Sequence, residues 1–133
     1  MKPNLFSTEP EIAALSILLK NPDLYYGTGI RFFMMSSVSH QIILQEIESL
    51  NDKQLVPDVQ LVANALESSG NLAKVGGREY LDFLISQEYN KENLIEWCNT
   101  LVASYKGRVF VSSASKIKAD NLTLDNVEDS IRD

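Results

Sequence analysis

Apolar residues recur at three- and four-residue spacing along most of the chain, a pattern that predicts amphipathic helices. Five stripes of this kind predict five helices, and their apolar members are Ile12, Ala14, Leu15, Leu18 and Leu19; Ile43, Leu44, Ile47 and Leu50; Val59, Val62, Ala63 and Leu66; Tyr80, Leu81, Leu84 and Ile85; and Leu94, Trp97, Cys98, Leu101, Tyr105 and Val109. After a turn at residues 120–121, Thr123 is positioned to cap a last helix that runs to the end of the sequence.

Several helix ends carry recognisable capping residues. Thr8, followed by Glu11, reads as a capping box in which each side chain bonds the other residue's backbone N–H. Asp58 is the expected N-cap of the third helix. Gly70 follows the same helix, where a left-handed residue is common. The sequence therefore predicts both ends of the third helix and the start of the first helix.

Residues 25–35 and 109–113 are ambiguous. The first segment combines two glycines with a very apolar run, so it is either a loop packed into the core or an exposed docking patch. Ser36 or Ser37 then caps the second helix. Residues 109–113 have strand propensity, but the sequence offers no second strand to pair with them. We therefore predict that they continue the fifth helix.

Together these elements predict an all-α fold, a compact bundle of about five or six helices followed by a C-terminal helical hairpin. The expected boundary separates a globular bundle at residues 1–92 from a hairpin at residues 93–133. We expect the hairpin to continue into a linker in a longer protein.

Charge argues against a nucleic-acid-binding module. The 133 residues carry a net charge of −6, whereas DNA binding draws on excess Lys and Arg. Residues 104–119 are a local exception, since they contain four cations and no acid: Lys106, Arg108, Lys116 and Lys118. This basic strip is either a solvated helix face or a docking site for an acidic partner or a phosphate backbone.

The sequence offers few residues for catalysis or metal binding. The sequence contains one His and one Cys, which are too few ligands for a zinc site built from His and Cys. His40 and Cys98 are a conceivable nucleophile–base pair, but Cys98 follows Trp97 on an apolar face, where a thiol packs as a small hydrophobe. We predict no catalytic, cofactor-binding or metal-binding residue. No apolar run approaches the roughly 20 residues of a membrane span.

Four segments in order resemble the N-terminal domain of the DnaB family of replicative DNA helicases. Residues 11–19 resemble the pattern E-x-x-V-L-G-x-L-L, residues 40–47 resemble H-x-x-I-F-x-x-I, residues 58–81 resemble D-x-x-x-V-x-x-x-L-x-x-x-G followed by G-G-x-x-Y-L, and residues 93–108 resemble N-I-x-x-Y-A-x-x-V followed by R. The chain departs from these patterns at Ser16, Trp97 and Cys98. Phe32 and Phe33 only approximate the family's Asp-Phe-Tyr motif.

The resemblance implies a non-catalytic interaction domain of a cytoplasmic protein. In the family these domains pair through their hairpins, assemble as a trimer of dimers and form a collar above the ATPase ring. The collar binds the C-terminal domain of primase, and a helicase loader is a further expected partner. The full-length protein would be an ATP-dependent 5′–3′ DNA helicase with a separate downstream motor domain, so this domain would meet DNA only through the full hexamer.

The expected interface lies on the hairpin. Its candidate residues are Leu101, Tyr105, Lys106, Val109, Phe110, Lys116, Ile117, Lys118, Leu122, Val127 and Ile131. Tyr105 and Phe110 are the expected anchors, because buried aromatic residues often dominate interface energies. For Leu101 and Tyr105 the alternative is that they face the domain's own core.

Three other hypotheses remain open at the level of sequence. A free-standing phage or plasmid protein of this fold would bind a helicase, primase or loader through the same surface. Only the downstream gene sequence distinguishes it from a helicase. A small helical enzyme would depend on His40 or on clustered carboxylates, and a DNA-binding adaptor would show steeply salt-dependent affinity.

Overall fold

The computed structural model describes the backbone of residues 8–120 and the side chains of residues 8–113. Its α-helices are α1 (Glu9–Lys20), α2 (Val38–Asp52), α3 (Val59–Ser68), α4 (Gly77–Ser86) and α5 (Leu94–Asp120). Short 3-10 helices at Pro22–Gly27, Phe32–Met34, Ala73–Val75 and Lys91–Asn93 join them. Between residues 8 and 120 the chain forms no strand, which confirms the predicted all-α class. The predicted last helix lies outside the described residues.

Helix α1 is the centre of the bundle. Nine of its 12 residues are buried, and the helix packs against α5, α4 and α2. The predicted stripe therefore underestimates its burial, because Ala13, Ile17 and Ser16 on the other faces are also 0% exposed. The small side chains among them allow neighbouring helices to approach closely. The hydroxyl of Ser16 donates to the carbonyl of Gln87 at 3.2 Å, which links α1 to the end of α4.

The predicted capping box is wrong, although α1 does begin at Glu9 with Thr8 as the preceding residue. Thr8 makes no side-chain capping bond. The Glu11 carboxylate accepts hydrogen bonds from residues 36–40 instead. Several donors, one of them an imidazole, satisfy a buried carboxylate better than one backbone N–H does. Ser37 is the N-cap residue of α2, but it also makes no side-chain capping bond.

Helices α2 and α3 end in the same hydrogen-bonded motif. At the end of α3, Gly70 is left-handed at φ 78°, as predicted, and Asn71 N–H donates to the carbonyl of Leu66. At the end of α2, Gln54 takes the left-handed position at φ 61°, and Leu55 N–H donates to the carbonyl of Leu50. Both are Schellman motifs, and the α2 motif has a side chain where glycine is usual.

Residues 25–35 are largely part of the core, the first of the two alternatives. Ile30 and Met35 are each 1% exposed, and the hydroxyl of Tyr25 donates to the carbonyl of Ile30. Tyr26 and Phe33 instead lie on the surface, at 73% and 46% exposure. The segment therefore fills the core with some side chains and exposes others.

Helix α5 continues through residues 109–113, as predicted. Leu94, Cys98 and Leu101 of its first half are buried in the core, and Asp58 at the start of α3 accepts the predicted capping bond from Leu61 N–H at 2.9 Å. From Val109 onward the described α5 side chains are exposed. The second half of α5 thus carries surface side chains up to residue 113.

Candidate interaction surface

A buried polar network joins α1, α2 and α4. The Nδ1 atom of His40 lies 2.7 Å from a carboxylate oxygen of Glu11, and its Nε2 atom lies 2.5 Å from the hydroxyl of Tyr80. Glu11 also accepts from the N–H and hydroxyl of Ser36 and from the N–H of Ser37. Glu11 and His40 are each 2% exposed. The network holds three helices and the loop before α2 in register.

The Glu11 carboxylate is held in its charged form. Burial alone would raise its pKa, but hydrogen bonds from His40 and Ser36 outweigh burial and hold the pKa of Glu11 below its ordinary value. Burial, followed by the charge of Glu11, raises the pKa of Tyr80. Tyr80 therefore remains protonated near neutral pH and serves as a hydrogen-bonding partner of His40.

The geometry does not form a nucleophile–base pair from His40 and Cys98. Both ring nitrogens of His40 already face Glu11 and Tyr80. Cys98 is 1% exposed, and burial raises the pKa of its thiol to about 11. A buried thiol with a raised pKa is a poor nucleophile. Among the described side chains, no three His, Cys, Asp or Glu residues cluster in a way that would hold a metal ion.

Arg108 attaches the Phe32–Met34 segment to α5. Its Nη2 atom donates to the carbonyl of Met34 at 2.6 Å, and its guanidinium carbon lies 5.9 Å from the centre of the Tyr105 ring. Phe33 meets Tyr105 edge to face, with ring centres 5.7 Å apart. The basic strip predicted from the sequence thus loses one member, because Arg108 binds within the molecule.

Phe33, Tyr105 and Arg108 line a depression that we call the α5 groove. Its volume is about 380 Å³, and its lining is Phe33, Met35, Ser36, Gln41, Tyr105, Arg108, Val109, Ser112 and Ser113. Next to it, Val109, Phe110 and Val111 are exposed by 46%, 72% and 49%. Three consecutive apolar residues exposed on a helix are unusual on a surface that faces only water.

The predicted interface residues separate into three groups. Leu101 is 2% exposed and belongs to the core, so the core alternative applies to it. Tyr105 is half-buried beside Phe33, whereas Lys106, Val109 and Phe110 are exposed. Six candidates have side chains outside the described residues: Lys116, Ile117, Lys118, Leu122, Val127 and Ile131.

Two features were missed at the level of sequence. In the sequence Phe33 is one member of an apolar segment, with no sign that it forms a wall of the α5 groove. Glu11, His40 and Tyr80 stand in three separate motifs, and periodicity does not show that they meet. No helix in the described part of the chain has the length and apolarity required to cross a bilayer.

Comparison with known protein families gives one match that covers most of the chain. The family model of the DnaB-like helicase N-terminal domain matches residues 4–103. A comparison with curated proteins returned no match.

Two solved structures share the fold. One is the crystal structure of the N-terminal domain of DnaB helicase from Mycobacterium tuberculosis, with a TM-score of 0.86 and 22% identity over 92% of this chain and 91% of that one. The other is a DnaB-like replicative helicase described with its interactions with primase, with a TM-score of 0.81 and 20% identity. The match covers 95% of this chain but 30% of that helicase.

Proposed function

Since this chain belongs to the DnaB-like helicase N-terminal domain family, we propose that it is the collar and docking domain of a hexameric replicative DNA helicase. In this role it pairs with other copies of itself and binds primase or a helicase loader, and it performs no chemistry. The bundle at residues 1–92, against which the buried first half of α5 packs, is the globular head, and the segment at residues 93–133 is the pairing hairpin. The motor of the complete protein, an ATP-dependent 5′–3′ helicase acting in the cytoplasm, is a separate domain.

The exposed apolar run on α5 is the observation that carries this proposal. Successive residues on an α-helix point about 100° apart, so Val109, Phe110 and Val111 face directions that span about 200°. A single neighbouring helix covers a narrower arc than this. The run therefore fits a helix contacted from two sides, by the second helix of its own hairpin and by a hairpin of another copy.

The basic residues of α5 favour a partner whose contact surface is acidic. Residues 104–119 contain four cations and no acid in a chain with net charge −6. Arg108 binds within the molecule, which leaves three lysines, and Lys106 among them is exposed. Opposite charge across an interface raises the association rate more than the affinity. The strip would guide a negatively charged helix onto the apolar run.

Primase enters the proposal through one relative. The helicase that shares this fold over 95% of the chain is described with its interactions with primase. The same fold in this chain supports docking of the primase C-terminal domain, and the surfaces that remain exposed after pairing are those on which it would bind. DNA would be contacted through the full hexamer, as the acidic charge of this domain suggests.

Sedimentation equilibrium over a range of concentrations tests the pairing. We expect the wild-type chain to form dimers or hexamers and Phe110→Asp to shift it to monomers, because a charge would be buried in an apolar contact. Tyr26→Asp is the matched control, since Tyr26 is aromatic and equally exposed, at 73% against 72%. A monomeric wild type, or equal effects of both substitutions, would contradict the proposal.

A further inference from the structure

A second apolar depression lies between the 3-10 helix at Pro22–Gly27 and the turn after α2, and we call it the loop groove. Its volume is about 390 Å³, and its lining is Pro22, Asp23, Tyr26, Asn51, Gln54, Leu55, Val56 and Pro57. Tyr26, Leu55 and Val56 are exposed by 73%, 46% and 65%. The groove shares no lining residue with the α5 groove.

The backbone of this turn is held in a strained conformation. Gln54 adopts φ 61°, a left-handed conformation that destabilises a residue with a side chain by roughly 1–2 kcal/mol. The bond from Leu55 N–H to the carbonyl of Leu50, at 2.9 Å, fixes the turn. Two neighbouring aliphatic side chains in this turn, Leu55 and Val56, are exposed to solvent. Exposed apolar residues that line a depression are typical of a binding surface.

One polar atom in the lining has no partner. The Nδ2 atom of Asn51 is shielded from solvent and makes no hydrogen bond among the described residues. Unpaired buried donors are rare and destabilising. A ligand carbonyl group that reached this atom would provide the acceptor that it lacks.

The lining residues and their neighbours in sequence carry mainly negative charge. Asp23 lines it, Asp52 and Asp58 adjoin the lining residues in sequence, and Lys53 is the single cation among residues 51–58. The exposed ring of Tyr26 can also accept a cation on its face. Charge complementarity thus favours a ligand that carries positive charge beside aliphatic groups.

From these observations we propose that the loop groove binds a short extended peptide segment of a partner protein, with aliphatic side chains beside Arg or Lys. The aliphatic side chains contact Tyr26, Leu55 and Val56, a backbone carbonyl accepts from Asn51, and a cation lies near Asp23. This site goes beyond the collar role, because pairing through α5 does not involve it.

The probe is a fluorescein-labelled hexapeptide of alternating leucine and arginine, titrated against the full chain by fluorescence anisotropy. Matched peptides replace arginine with glutamate or leucine with serine. We expect the leucine–arginine peptide to bind with a Kd below about 1 mM and both matched peptides to bind with a higher Kd. Amide shifts of the ¹⁵N-labelled chain should map to Tyr26, Gln54 and Val56.

Two valines on α2 and the turn that follows it give a controlled pair of variants. Val56→Ser should weaken peptide binding about fivefold by removing an apolar contact. Val38→Ser should leave it unchanged, because Val38 is equally exposed, at 67% against 65%, and lies at the other end of α2, about 20 Å away. Sedimentation should show the same pairing for both variants, so this inference and the collar proposal fail separately.

Three results with the peptides would overturn the inference. These are an absence of binding by the leucine–arginine peptide at about 1 mM, equal binding by the leucine–glutamate peptide, and amide shifts that map to the α5 groove. Equal effects of Val56→Ser and Val38→Ser would also overturn it, since binding would then not depend on the loop groove.

Discussion

At the scale of single residues, Glu11 is a buried carboxylate, 2% exposed, that accepts hydrogen bonds from Ser36 and Ser37 and contacts His40. We expect Glu11→Gln to lower the free energy of unfolding by about 2 kcal/mol at pH 7, because charge-assisted hydrogen bonds are lost. The folded-state pKa of Glu11 is lowered, so its contribution is fully present above the unfolded value of about 4.3. It is lost as the pH falls through the folded-state pKa.

Urea unfolding of the wild type and Glu11→Gln at pH 7 and at stepwise lower pH measures this difference. The gap between the two proteins should narrow as the solution becomes more acidic. A gap that stays constant down to about pH 3 would show that the charge of Glu11 contributes nothing to stability.

Gly76 and Gly77 separate backbone strain from steric contact. Both have positive φ, at 105° and 75°, but a Cβ at Gly76 would lie 2.9 Å from Cβ of Tyr80, whereas a Cβ at Gly77 would meet nothing within 4 Å. Gly77→Ala should destabilise by about 1 kcal/mol through its backbone alone. Gly76→Ala should destabilise by about 3 kcal/mol, because it also displaces Tyr80 from His40. Equal losses in urea unfolding would show that the contact with Tyr80 is unimportant.

At the scale of the elements, the two Schellman motifs give a reciprocal test. Gln54→Gly should raise the free energy of unfolding by about 1 kcal/mol, since glycine adopts positive φ without a Cβ penalty. Gly70→Ala should lower the free energy of unfolding by a similar amount, because a residue with a Cβ is strained at φ 78°. No steric contact adds to this, since a Cβ there would meet nothing within 4 Å. Thermal unfolding measures both. Destabilisation by Gln54→Gly would mean that the Gln54 side chain has a stabilising contact.

The helices could be predicted from sequence wherever local signals determine them. Asp58 and Gly70 act within three or four residues of their own position, and both predictions are confirmed. The capping box at Thr8 failed because the preferred partners of Glu11 are 25 to 29 residues away. A local motif cannot include a competitor brought close only by folding.

The same limit applies to the surface. Val109 and Phe110 could be predicted as exposed apolar residues because α5 extends beyond the bundle. The contribution of Phe33 could not, since it depends on Arg108 holding the carbonyl of Met34 across 74 positions of sequence. Whether the predicted residues form the interface stays a prediction, which Phe110→Asp tests.

At the scale of the whole molecule, the charge distribution discriminates against a DNA-binding adaptor. The net charge is −6, and with Arg108 bound within the molecule the basic strip at residues 104–119 keeps three lysines to contact phosphates. We expect no measurable binding of short single-stranded or duplex DNA at about 0.1 M salt. Fluorescence anisotropy checks this. Affinity that falls steeply with rising salt would instead favour the adaptor hypothesis.

Cys98 makes the interior accessible to measurement. It is the single thiol of the chain and is packed in the core on α5, so a disulfide reagent such as dithionitrobenzoate reacts with it only during transient separation of α5 from the bundle. When reclosing is faster than the reaction, the labelling rate reports the free energy of that opening. The native sequence therefore carries its own kinetic reporter of how firmly the long helix is seated on the rest of the domain.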